Sequence, residues 1–173
     1  STLPAWRLRE PLPAEELLGY YREAEVQTGV PWEILAAINL IETRMGRIEG
    51  YSTAGAVGPM QFLPATWNEC CQGDPALDRD AIIGAGRYLD QRGAASDLDR
   101  ALFGYHNSER YVRAVRADAS VMERDPLAYR GYHAFEVYFL SSAGLIRMPP
   151  GYEEPEPVDA AGWLADHPDA LVD

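Results

Sequence analysis

Glycine and proline cut this chain into short pieces, and that punctuation restricts what can be built from it. A helix is expected from about Ala14 to Thr28, with Leu17, Tyr21 and Ala24 on one face and Gly29 as its stop. Pro31 suits the first turn of a second helix running to about Met45, just before Gly46. Residues 46–63 are glycine-rich and aperiodic, so they read as a loop. Pro64 opens a short helix through Trp67 to Cys70. Asp78 or Asp80 can cap the next helix, whose stripe is Ile82, Ile83, Ala85, Tyr88 and Leu89 before Gly93. Helical patterns follow at 97–105, 108–124 and 126–140. No stretch alternates apolar and polar residues long enough to argue for a sheet. The spacing predicts a mainly α domain of about seven short helices around one core.

That domain spans 14–148. Residues 1–13 read as an extended arm ending in Pro11-Leu12-Pro13. From 149 to 173 the chain turns proline-rich and acidic, a texture expected to lie along the surface or to act as a linker. Trp163 and Leu164 are the residues there that can dock back onto the body.

A net charge of −12 makes nucleic acid and anionic membranes poor partners. The one basic cluster, Arg110, Arg113 and Arg116, is interleaved with Glu109 and Asp118 and reads as a solvated face. No apolar run is long enough to span a membrane. Cys70 and Cys71 are neighbours whose α-carbons lie nearer than disulfides prefer, so two unpaired thiols are expected. The scattered histidines and the absence of a CxxC argue against zinc.

The second helix carries an anomaly. Ile34, Leu35, Ile38, Ile41 and Met45 form an apolar stripe, and Glu42 projects from it. Desolvation there raises a carboxyl pKa, the condition for an acid that holds its proton near neutral pH. The ordinary alternative is an ion pair with Arg44 or Arg47, or a Glu at the stripe's margin reaching water. The loop from Ser52 to Trp67 adds small residues, an adaptable methionine at 60 and a two-sided amide at 61. That mixture suits a sugar, with its apolar faces and polar rims, although plain loop packing would also explain it.

Taken together, Ile41-Glu42-Thr43-Arg44-Met45-Gly46 and Ala54-Gly55-Ala56-Val57-Gly58-Pro59-Met60-Gln61-Phe62-Leu63-Pro64-Ala65-Thr66-Trp67 resemble the lytic transglycosylases of bacterial cell walls. A third element, Phe103-Gly104-Tyr105-His106-Asn107-Ser108-Glu109-Arg110-Tyr111-Val112, is similar to that family's Tyr-Asn motif. The order and spacing match over roughly residues 30–140, closest to the membrane-bound type and its actinobacterial relatives. The resemblance implies a lysozyme-like α fold and peptidoglycan glycan strands as partner. It also implies an extracytoplasmic location and a protein acting as a monomer. Glu42 would be the sole catalytic acid and then base. Thr43, Ser52, Gly58, Met60, Gln61, Tyr105, His106 and Asn107 would bind substrate. Met60 and Gln61 would line sugar subsites, and Tyr105 would orient substrate or Glu42.

This chain departs from the pattern in three places. Thr43 stands where many relatives have Ser. His106 occupies the asparagine position, because relatives read Tyr-Asn-His-Ser where this chain reads Tyr105-His106-Asn107-Ser108. Of an acidic repeat suited to calcium, only Gly73-Asp74-Pro75 with Asp78 and Asp80 is present, so no metal or other cofactor is expected. The alternatives are a goose-type-lysozyme-like muramidase using Glu49, Glu69 or Asp74 as a second acid, and a non-catalytic wall-binding module.

Overall fold

The computed structural model describes residues 1–50 and 55–172. Helix α1 (Ala14–Thr28) buries Leu17, Tyr21 and Ala24 and ends at Gly29, whose φ of 73° suits a residue without a β-carbon. Helix α2 (Trp32–Thr43) follows Pro31. From Ile34 to Leu40 every one of its residues is buried, so α2 is enclosed on all sides instead of presenting a single stripe. Against it pack α4 (Asp78–Gln91), α6 (Glu109–Arg124) and α7 (Ala128–Ala134), while α3 (Pro64–Cys70) lies on α4, and α5 (Leu98–Tyr105) on α4 and α6. Helix α1 lies against α4, and α2 lies against α6. The architecture is mainly α, as a lysozyme-like domain requires.

Three expectations change. The helical pattern at 126–140 stops at Ala134, and β4 (Val137–Ser141) pairs antiparallel with β5 (Gly144–Met148). Val-Tyr-Phe-Leu is a β-branched and aromatic run, and Gly144 at φ 124° permits the turn that a continuing helix could not make. Both strands have five residues, too few for alternation to register from sequence alone.

Asp78 does not cap α4. Leu77 occupies the cap position without a side-chain bond, and the Asp78 carboxylate faces Arg9 instead. Cys70 and Cys71 are joined in a disulfide despite a Cα separation of 3.7 Å. Cys70 closes α3 while Cys71 is extended, at φ −132° and ψ 171°, and this change of direction brings the two sulfurs together.

The N-terminal arm and the chain beyond 148 share a second core. Strand β1 (Thr2–Leu3) pairs with β6 (Val158–Asp159), and β2 (Trp6–Leu8) pairs with β3 (Ile48–Gly50). Strand β7 (Leu171–Val172) adds to β5, and α8 (Ala160–Asp166) covers the group. Leu3, Leu8, Val137, Ile146, Met148 and Tyr152 are buried together here. The Tyr152 hydroxyl donates to the Pro4 carbonyl at 2.6 Å. Because β3 directly follows the turn after α2, this second core bears on the end of the central helix. Among the described residues, no helix is long and apolar enough to cross a membrane.

Candidate active site

Glu42 leaves the core in the last turn of α2, one residue before the helix ends. Its backbone is fixed by a helix buried on all sides, while its side chain is only partly covered. Burial pushes its carboxyl up from 4.5 to about 7, and a nearby Tyr111 hydroxyl opposes that rise. The Tyr111 oxygen makes no hydrogen bond of normal geometry to any described residue, so it tempers the desolvation without cancelling it. Neither Arg44 nor Arg47 neutralises the carboxyl: Arg44 donates to Leu40 O, and Arg47 to Arg44 O and His133 O.

Among the described residues, no neighbouring carboxylate contributes to the shift either. A second acid placed about 5–5.5 Å away, as in retaining glycosidases, would raise it further. Glu49 is exposed and engaged by Arg7 at 3.6 Å and Arg9 at 3.0 Å. Asp74 spends an oxygen on Ala76 N–H, and Glu69 is exposed on α3. The carbon resonance of the Glu42 carboxyl, followed by NMR, should therefore titrate near pH 7. A midpoint near 4.5 would show that the carboxyl is solvated.

The 57–62 segment is a tight hairpin, closed by paired bonds between Val57 and Phe62 at 2.8 and 3.0 Å. Its tip is pinned to the helix carrying Glu42. The Thr43 hydroxyl donates to Pro59 O at 2.6 Å and accepts from Gly46 N–H at 3.1 Å. The Tyr105 hydroxyl donates to Met60 O at 2.7 Å, and the Asn39 amide points at the Met60 sulfur at 3.2 Å.

Thr43 and Met60, both expected to contact substrate, have buried side chains that hold the loop in place. Gly58 is likewise set by packing, because its missing β-carbon makes room for the backbone at Pro75 and Ala76. Gln61, at φ 53°, turns its amide nitrogen inward to Gly58 O at 2.9 Å. Among the described residues its amide oxygen is left for a cleft of 430 Å³ lined also by Arg9, Gly46, Glu49 and Pro59. Ser52 lies outside the described residues.

The third motif assembles a set of rings. Tyr105 and Tyr111 lie parallel, 6.3 Å apart, and the exposed His106 stacks on Tyr111 at 4.8 Å. Ser108 caps α6 and accepts from Tyr111 N–H, which orients that tyrosine. Burial and the Glu42 charge push both tyrosine hydroxyls well above their usual range, so each remains a donor. The Tyr105 proton is committed to Met60, whereas the Tyr111 proton is left to face Glu42. Asn107 is exposed and takes no part in this stack.

Tyr111 is the neighbour of Glu42 that the sequence alone did not single out. The signal was its place three residues after the capping Ser108, on the buried face with Val112 and Val115. The 430 Å³ cleft reaches Gly46 but not the Glu42 carboxyl itself. A larger hollow of 560 Å³ sits around Glu33 and Arg116, at the other end of α2. Chemistry, and not cavity size, singles out Glu42.

The comparisons bear on the family at a coarse level. The chain is 28% identical over 126 residues, 68% of its length, to the membrane-bound lytic murein transglycosylase F of Thiobacillus denitrificans. It spans about a quarter (27%) of the length of that curated relative. No family model matches the chain, and no solved structure matches it. The likeness points to lytic transglycosylases as a family and to no particular member.

Proposed function

We propose that this chain is a peptidoglycan lytic transglycosylase, with Glu42 as acid and then base. The observation that carries the reading is a desolvated carboxyl, raised to about 7, with no second acid acting on it among the described residues. Protonated Glu42 donates to the glycosidic oxygen between N-acetylmuramic acid and N-acetylglucosamine, and that bond breaks. The resulting carboxylate takes the proton from the muramyl C6 hydroxyl, whose oxygen closes on the anomeric carbon. The product is a 1,6-anhydro end, and water does not enter. A tethered hydroxyl needs no second carboxylate to activate it and gains from proximity. Tyr111 would steady the carboxylate form between the two proton transfers. The reading places the activity outside the cytoplasm, where glycan strands are.

A muramidase of the goose-lysozyme type would need another group to activate water. Glu49 is a poor one, since two arginines hold it. Digestion of purified wall in heavy-oxygen water separates the two chemistries. The expected products are muropeptides lighter by one water, with no label at a muramyl end. Labelled reducing ends as the main product would replace this reading with hydrolysis. No cleavage at all would favour a binding module.

A further inference from the structure

The turn after Glu42 is unusual. Arg44, Met45 and Gly46 stand in succession at φ 55°, 59° and 81°, all in the left-handed region. For residues other than glycine that conformation costs about 1–2 kcal/mol each, so surrounding contacts must impose it. Within the helical body, Met45 is fully buried, its N–H donates to Asn39 O at 3.0 Å, and Thr43 holds Gly46 N–H. From the N-terminal arm comes Arg9. Its Nε donates to Gly46 O at 2.8 Å and lies 3.0 Å from Glu49 Oε1. Its Nη2 donates to Asp78 Oδ2 at 3.0 Å, and its own N–H donates to Arg47 O at 3.0 Å.

Asp78 is buried at the first turn of α4, with its other oxygen directed at Gly46 and unpartnered among the described residues. A β-carbon at position 46 would stand 2.8 Å from that oxygen and 3.2 Å from Arg9 Nη2, so only glycine fits the clasp.

From this geometry we infer that Arg9 is a positioning residue for Glu42. It locks the left-handed turn and thereby fixes the helix end from which the carboxyl projects. The guanidinium borders the cleft beside Gln61, but Asp78 and Glu49 neutralise it, so its role is orientation and not capture of an anionic ligand. The fork geometry of arginine explains why one side chain can hold a carbonyl and a carboxylate together. The inference rests on Glu42 being the acid of the proposed reaction.

Arg9→Ala tests it through two readouts. On solubilised glycan strands, kcat should fall roughly 10–100-fold with KM little changed, as expected when a reacting group is misplaced. The Glu42 NMR midpoint should also move down from about 7 toward 4.5 as water reaches the loosened turn. Tyr111 and Tyr105 are the titratable groups facing that carboxyl, and both stay protonated throughout. Arg7→Ala, which removes an exposed arginine bound to Glu49 and Glu153, should change neither readout.

If the Glu42 midpoint does not move in Arg9→Ala, or if kcat falls only with the folded fraction, Arg9 merely fastens the arm. Should Arg9→Ala not fold, the same midpoint is read in Arg9→Lys, which keeps the cation and loses the fork. An unmoved midpoint there also overturns the inference. The titration needs no activity, so a parent that titrates near 7 but leaves wall glycans intact would dismiss the transglycosylase reading alone.

Discussion

Glu42→Gln should abolish cleavage of wall glycans while the protein stays folded. The amide is nearly the same size but has no proton to give, and a positioned acid–base group typically contributes about 10²–10⁴-fold to a rate. The sign of the stability effect follows from the raised pKa. The fold favours the protonated carboxyl, so Glu42 contributes stability below about pH 4.5 that is lost as pH rises through about 7. A neutral Gln does not carry that penalty. At pH 8 the variant should melt no lower than the parent, with its cleavage rate at background. A variant that folds normally and still cleaves at a comparable rate would remove Glu42 from the mechanism.

Gly58→Ala should be the most damaging small substitution in the hairpin. At φ 77° an added β-carbon would lie 2.7 Å from the Pro75 carbonyl carbon, closer still to its oxygen, and 3.2 Å from Ala76 Cα. These are backbone atoms, so no flexible side chain can swing aside. Overpacking combined with a left-handed alanine should cost about 3 kcal/mol, a fall in Tm of roughly 6–12 °C for a chain of this size. Thermal unfolding by circular dichroism measures it. A loss of activity with an unchanged Tm would mean instead that Gly58 matters for ligand approach.

The helical frame was legible because its signals are local. Gly29 and Pro31 bracket the joint between α1 and α2, and the periodic run from 108 to 124 gives α6. Glu42 was legible because a carboxylate on an apolar helix face is a conflict within the sequence itself. What escaped depends on residues far apart in the chain. Tyr111 looks like an ordinary core tyrosine until α5 and α6 meet. Arg9 reaches Asp78 across 69 positions, and no periodicity encodes that pairing. Thr43 and Met60 carry the right chemistry for sugar contact, yet the hairpin uses it for its own anchoring. A motif names residues that work together without saying which of them face outward.

The Cys70–Cys71 bridge differs in kind from disulfides that cross-link distant segments. The entropy removed from an unfolded chain grows with the length of chain a bridge encloses, and this one encloses no intervening residue. It therefore adds little to global stability. What it constrains is the corner where α3 gives way to extended chain, next to Trp67 and below the hairpin's aromatic base at Phe62. It acts as a local splint: cutting it would free one corner and leave every long-range tie of the fold in place.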